Sequence, residues 1–384
     1  MFHVKHESPP ALLFLDEALE GLRSRDLLRD RQKANEAGAV SFCSNDYLGL
    51  ASRCAGNGAV GAGASRLVAG ERPEHQKLEM AAAALVKLPA ALAFTSGYAA
   101  NVGMLSALAQ SGDLIVSDAL NHASLIDGAR LSRARVEIVP HIDPEAVERA
   151  LKAPRSGRAF VVTESYFSMD ADAPDLPALR RVCDAHGAAL IVDEAHALGV
   201  LGPEGRGLCA ASAVVPDVLT GTFGKAFGAA GAFAAGCPSL VKWLWNRARS
   251  FVFSTGLSPV VASAAEVAIR LSQEHPELRE RTLRASVLFR RRLGELGIQP
   301  AGFGHVIPWI IGDAAAAVRV AKRLREQGID AQAIRPPSVP DNTARIRLTV
   351  TAAHTDADIE SAATAINHVL EQESIRATRQ DYYP

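Results

Sequence analysis

Lys225 is the one charged residue in V-L-T-G-T-F-G-K-A-F-G-A-A-G-A-F-A-A-G-C-P-S-L-V (218–241), and Phe223, Gly224, Ala226, Phe227 and Gly228 bracket it. Apolar surroundings strip water from an ammonium and lower its pKa from the usual ~10.4, which leaves free amine to attack a carbonyl. A lysine that forms a Schiff base needs that property. A lysine on a surface turn between two buried strands has the same neighbours, so the remaining chain decides between the two readings.

Four strand ends ahead of Lys225 carry polar residues. In F-T-S-G-Y (94–98), Ser96 and Gly97 lead into a helix whose free N–H groups suit a phosphate, although an ordinary capped helix looks alike. S-D-A-L-N-H-A-S leaves His122 just past a strand, and V-T-E-S-Y-F-S-M-D ends on Ser168 and Asp170. L-I-V-D-E-A-H puts Asp193 at the end of an apolar strand, with His196 three residues on. A carboxylate delivered into an interior calls for a cation, and a protonated pyridine nitrogen is one. The rival, a D-E-A-H nucleotide hydrolase, requires a P-loop. L-T-G-T-F-G-K-A has Leu219 for the first glycine and Ala226 for the hydroxyl, so that reading fails. Phosphate nest, histidine, buried aspartate and desolvated lysine together match pyridoxal phosphate.

The elements that must position these residues are legible as pattern. From Glu74 to about Gly236, short runs rich in Val, Ile and Ala (A-L-A-F, D-L-I-V-S, A-F-V-V-T-E, A-A-L-I-V-D, V-L-T-G-T, A-G-A-F-A-A) alternate with helical stretches. This predicts an α/β fold, a doubly wound, mainly parallel sheet with ligands at its carboxyl edge. After residue 276 the texture changes to charged helices stopped by glycine and strands such as A-R-I-R-L-T-V-T, where Arg345 and Arg347 share one face. T-D-A-D opens the last helix, with Thr355 as cap and Asp358 three residues on. The expected organisation is an N-terminal helix and arm (1–42), a large α/β domain (43–275) and a smaller α+β domain (276–384). The leucines of 11–33 predict an amphipathic helix lying on the body. G-A-G-A-S-R (61–66) ends on Arg66 where a dinucleotide fingerprint needs glycine, which rejects NAD there.

Composition narrows the class. Over 384 residues, 48% of them hydrophobic, 41 basic side chains nearly cancel 42 acidic ones, so no polyanion partner is implied. Five cysteines without a C-x-x-C pair argue against a disulfide framework or zinc knuckle, and no metal is expected. With no apolar run of 18 residues and no signal-like N-terminus, a soluble cytoplasmic protein is expected.

The motifs N-D-Y-L-G-L, S-R-L-V-A-G, H-Q-K-L-E, S-G-Y-A-A-N, N-H-A-S-L, F-S-M-D, V-D-E-A-H, G-R-G, T-F-G-K-A-F-G and R-I-R-L-T, spread over roughly residues 12–370, resemble the α-oxoamine synthases, pyridoxal-phosphate enzymes of fold type I. The resemblance implies that Lys225 forms the Schiff base, Asp193 partners the ring nitrogen, and His122 stacks on the ring. It also implies that His196 and Ser168 lie near the phenolic oxygen, and that Gly97, Tyr98 and Thr222 hold the phosphate. Arg347 matches the arginine for the substrate carboxylate, while Arg345 shares its face and suits a structural ion pair. Arg29, Asn45 and Ser338 match substrate-contacting positions, the last usually threonine. The implied assembly is a homodimer in which Ser254 and Thr255 reach the neighbour's phosphate. I-R-P-P-S-V-P (334–340) and T-A-R-I-R-L-T-V-T-A-A-H look most like the member that condenses L-alanine with a pimeloyl thioester of CoA or a carrier protein. Siblings joining glycine to acetyl-, succinyl- or long-chain acyl-CoA are the alternative. Residues 51–60 are shorter than the family's corresponding segment.

Overall fold

A computed structural model describes residues 10–29 and 38–373. Its centre is a seven-stranded sheet built from β1 (Ala90–Phe94), β2 (Leu114–Asp118), β3 (Arg135–Val139), β4 (Ala159–Glu164), β5 (Ala188–Asp193), β6 (Val218–Thr222) and β7 (Ala232–Gly236). The spatial order is β1-β7-β6-β5-β4-β2-β3. β3, β2, β4, β5 and β6 run parallel, and β7 is antiparallel to both β6 and β1. Helices cover both faces, so β2, β4, β6 and β7 are buried along their whole length, which explains their unbroken apolar sequence. β2, β4, β5 and β6 deliver Asp118, Glu164, Asp193 and Thr222 to one carboxyl edge.

Strand β3 was not among the sequence expectations. It lies at the sheet edge with Arg135 and Ile138 exposed, so its pattern carries no buried run.

A second sheet follows, with β8 (Val306–Gly312), β9 (Gln332–Ile334) and β10 (Ala344–Thr349) in the order β9-β10-β8, all antiparallel. Its apolar cluster joins Phe289, Trp309, Ile346 and Leu348 to Ile359 and Ile366 of the last helix, and Phe42 enters it from the N-terminal side. A fully buried side chain of this kind contributes roughly 1.5–3 kcal/mol. Alternation along β10 was expected to divide it into two faces. Every residue of β10 is buried, so both faces are covered and Arg345 and Arg347 lie inside the protein. The last helix begins as expected: Thr355 N–H donates to Asp358 Oδ2 (2.8 Å), and Asp358 N–H donates to Thr355 Oγ1 (3.2 Å).

The N-terminal helix is shorter than its leucine spacing predicts, spanning Phe14–Arg23. None of its residues is buried, and Leu12, Phe14, Leu15 and Leu19 face outward, so it does not lie on the body of its own chain. The predicted residues 30–33 fall outside the described ones. Val40–Ser41 then pairs in parallel with Ile329–Asp330, fastening this segment to the C-terminal part. The short link 51–60 lies against helix Pro259–Glu274: a Cβ on Gly56 would sit 1.8 Å from the Val260 carbonyl oxygen, so only glycine permits the approach. Among the described residues no helix is long and apolar enough to cross a membrane.

His141 ties the carboxyl edge together. Its Nδ1 bonds Asp118 Oδ1 (2.8 Å) and its Nε2 lies 3.2 Å from Asp172 Oδ2, in the loop that carries Ser168. Burial opposes the charge, but the two carboxylates prevail and raise the imidazole to about 9. A raised folded-state value stabilises the protein fully below the unfolded value near 6.5 and loses that effect as pH climbs through about 9. His141→Gln should therefore cost thermal stability at pH 6, with the difference from wild type shrinking toward pH 9.5. Melting curves across that range check it.

Candidate active site

The turn after β6 presents Lys225. Gly228 closes it, donating its N–H to the Lys225 carbonyl (2.8 Å) at φ +60°, and a Cβ there would fall 2.2 Å from Ala51 N. Phe223 and Phe227, both fully buried, clamp the turn from either side. Part of the Lys225 side chain remains accessible, yet protein surrounds the amine and burial lowers its pKa to about 8. Asp193 and Glu164 oppose that fall, and Arg347 adds to it.

Asp193 terminates β5. Its Oδ1 accepts from Ala195 N–H (2.8 Å) and its Oδ2 from Asn101 Nδ2 (2.7 Å). Asn101 lies one turn into helix Gly97–Leu108 and also donates to Ser124 Oγ (2.9 Å), which in turn bonds His122 Nδ1 (2.7 Å). His122 caps helix Ala123–Ser132, leaves its ring accessible, and is lowered in pKa by burial and by Lys225 against the pull of Asp193.

The expected phosphate positions converge. Ser96 Oγ accepts from Ala99 N–H (3.1 Å) as the helix cap, and the first N–H groups of the helix, at Gly97 and Tyr98, have no carbonyl partner within it. A Cβ on Gly97 would meet Thr222 Oγ1 at 3.9 Å, so β6 and this helix start are adjacent. The Tyr98 side chain turns outward to donate to Asp127 Oδ2, which leaves only its backbone N–H for an anion.

Arg347 is held as a fork. Nε donates to the Ser168 carbonyl (2.7 Å), while Nη1 and Nη2 donate to Asn45 Oδ1 (3.1 and 3.2 Å). Nη2 also reaches Tyr47 Oη (3.3 Å), which bonds His196 Nδ1 (2.7 Å). His196 is buried, and desolvation, Lys225 and Arg347 keep its imidazole well below the ordinary range. Arg345 makes the expected ion pair, with Asp170 at 2.5 Å. Arg29 Nη2 donates to Ser338 Oγ (3.3 Å), joining two of the expected acyl positions. A cavity of about 430 Å³ runs from His122, Glu164 and Ser168 to Ser338. Ser254 and Thr255 do not join it: they sit after helix Arg249–Val252, and among the described residues the Ser254 hydroxyl bonds only the Thr255 carbonyl (3.4 Å).

Sequence reasoning missed the roles of Asn101, Tyr47, Glu164 and His305. Asn101 and Tyr47 stand inside motifs that drew attention, but nothing in their spacing says that one reaches Asp193 and the other His196. His305 packs between Tyr47 (centroids 4.1 Å) and Tyr166 (5.4 Å), and burial first, then Arg347, drives its pKa down to about 3, so it is neutral.

The residues present fit pyridoxal phosphate: a buried carboxyl at a strand end for a pyridinium, an accessible imidazole ring linked to it through Asn101 and Ser124, a helix start for a phosphate, and a desolvated amine. The lowered Lys225 value carries a stability signature. Folded protein binds this proton less readily than unfolded protein, so wild type gains stability as pH rises from about 8 to 10.5. Cofactor-free Lys225→Met should lack that gain, its stability relative to wild type being highest below pH 8 and declining above. Denaturant titration at pH 7 and 10.5 checks it.

Residues 37–366 match the family described as aminotransferase class I and II. The 8-amino-7-oxononanoate synthase of Methylococcus capsulatus is 44% identical over 381 residues, covering 93% of this chain and 98% of its own. The 8-amino-7-oxononanoate synthase of Citrifermentans bemidjiense is 43% identical over 377 residues, covering 92% and 97%. The solved serine palmitoyltransferase of Sphingomonas wittichii superposes with a TM-score of 0.86 at 26% identity, covering 95% of this chain and 98% of that one. With this fold, this constellation and these relatives, the chain belongs to the 8-amino-7-oxononanoate synthase family, pyridoxal-phosphate-dependent acyltransferases of fold type I.

Proposed function

We propose that the protein condenses L-alanine with a pimeloyl thioester, carried by CoA or a carrier protein, to give 8-amino-7-oxononanoate, CO2 and free thiol in biotin synthesis. The observation that carries this reading is the convergence of Lys225, Asp193 and the Arg347 fork, close enough for the two charges to act on the amine, with Arg347 held by the carbonyl of Ser168, a residue of the cavity that reaches Ser338. The names of the relatives support the acyl and amino-acid assignment.

When bound, the cofactor supplies an electron sink for the amino acid's α-carbon. Asp193 would partner its ring nitrogen and favour the protonated form, His122 would stack on the ring, and His196 and Ser168 would serve its phenolic oxygen. Backbone N–H groups of Gly97 and Tyr98, with Thr222, would hold the phosphate. Arg347 clamps the alanine carboxylate, and Asn45 and the Ser168 carbonyl keep the fork from rotating. Lys225 Nζ is neutral often enough near pH 8 to take the α-proton, and later returns one. Arg29 and Ser338 meet the acyl chain. A second copy of the chain covers the apolar face of helix Phe14–Arg23 and receives Ser254 and Thr255 at its phosphate, which accounts for their distance from the cavity of their own chain.

The test is thiol release by the cofactor-loaded protein, comparing L-alanine plus pimeloyl-CoA with glycine plus acetyl- or succinyl-CoA. Release should be confined to the alanine and pimeloyl pair, and Lys225→Ala should lower it by a factor on the order of a thousand or more. Release with glycine alone would move the chain to a sibling reaction, and near-normal turnover by Lys225→Ala would remove the lysine from the chemistry.

A further inference from the structure

Strands β4 and β5 end side by side on two carboxylates. Glu164 and Asp193 are register partners in a parallel pair, so their side chains leave the sheet on the same face. Both oxygens of Asp193 are engaged by Asn101 and Ala195. Glu164 uses one: the His122 N–H donates to its Oε1 at 2.7 Å. Its Oε2 has no protein partner among the described residues, and Glu164 lines the cavity beside His122 and Ser168.

The groups that face this carboxyl are Asp193 from β5, Asp118 from the end of β2, the His122 amide, and Lys225 from the turn after β6. Burial and the two carboxylates disfavour its ionisation, while Lys225 and the His122 amide only partly oppose them, so the group is pushed up to about 8 and is protonated at neutral pH. A protonated carboxyl is a hydrogen-bond donor, whereas a carboxylate would repel any oxygen brought to it.

We propose that Glu164 works as a carboxylic acid and donates a hydrogen bond from Oε2 to the carbonyl oxygen of the acyl thioester. The inference rests on the acyl substrate proposed above. An acyl chain lying toward Arg29 and Ser338 puts its thioester at the His122 end of the cavity, and the carbonyl oxygen is the acceptor that such a chain offers there. Glu164 keeps its proton throughout, and no bond to it forms or breaks. Its contribution is to orient the carbonyl and to favour the oxygen's partial negative charge.

The test uses two unreactive analogues of pimeloyl-CoA, titrated calorimetrically into the cofactor-loaded protein. One is a ketone in which methylene replaces sulfur; the other is a thioether in which methylene replaces the carbonyl. Wild type at pH 7 should prefer the ketone by roughly five- to tenfold, the worth of one neutral hydrogen bond. Glu164→Gln should keep the preference, because the amide still accepts from His122 and donates through nitrogen. Glu164→Ala should lose it. In wild type the preference should fade above pH 8 as the carboxyl ionises, and in Glu164→Gln it should persist. Comparing two ligands on one protein cancels any general disturbance by the alanine, and Glu164→Gln retains the packing. A preference that survives in Glu164→Ala, that disappears in Glu164→Gln, or that is missing from wild type would overturn the role of Glu164 and leave the substrate reading standing. Failure of wild type to bind either analogue would overturn the substrate reading and this inference with it.

Discussion

The structure depends on bringing a lysine amine out of water beside carboxylates that end buried strands. Lys225 lies in a turn fixed by two buried phenylalanines and by a glycine whose position no Cβ could share. Burial alone would carry the amine far toward neutrality and burden the folded chain. Asp193 restrains that shift, and Glu164 adds to the restraint only where its own carboxyl is ionised, so the amine is lowered to about 8 and no further. The two carboxyls, register partners on adjacent strands, differ in what holds them. Asp193, held by two donors, suits a permanent cation. Glu164, with one donor and two carboxylates near, suits a neutral acid.

A second constraint comes from chain connectivity. Arg347 is on β10, far along the chain from the main sheet, and must reach the same site as Lys225. Thr349, two residues on, donates its hydroxyl to the carbonyls of Phe42 (3.0 Å) and Ser44 (2.8 Å), which sets the N-terminal segment so that Asn45 and Tyr47 meet the guanidinium. On the other side the Ser168 carbonyl takes Arg347 Nε, and Arg345 binds Asp170 and the Met169 carbonyl (2.8 Å). Adjacent arginines on one face of β10 thus do separate jobs. One pairs with an internal carboxylate and locates the loop, and the other donates, among the described residues, to neutral oxygens alone, which leaves its charge for a ligand.

The main sheet and the residues at its carboxyl edge were legible because buried parallel strands leave unbroken apolar runs, and a charge at the end of such a run stands out. Lys225 and Asp193 announce themselves this way. β3 was illegible for the opposite reason, since an edge strand that faces solvent needs no such run. The N-terminal helix was misplaced because periodicity reports an apolar face without saying what covers it. Asn101 could not be read at all: an asparagine inside a helix looks like a weak helix former, and only the folding of that helix across β5 brings it to Asp193. Glu164 is a middle case, since its strand was evident but its state is set by the strand beside it.

The hydrogen-bond chain from Asp193 fixes more than distances. Asn101 presents one hydrogen of its NH2 to Asp193 Oδ2 and the other to Ser124 Oγ, while Asn101 Oδ1 has no partner among the described residues. With its oxygen already accepting from Asn101, Ser124 turns its own hydrogen toward His122 Nδ1, which also receives the Ser124 N–H at 3.2 Å. Nδ1 is therefore an acceptor, and the neutral imidazole carries its proton on Nε2. Asp193 thereby dictates, through two side chains, the tautomer of His122.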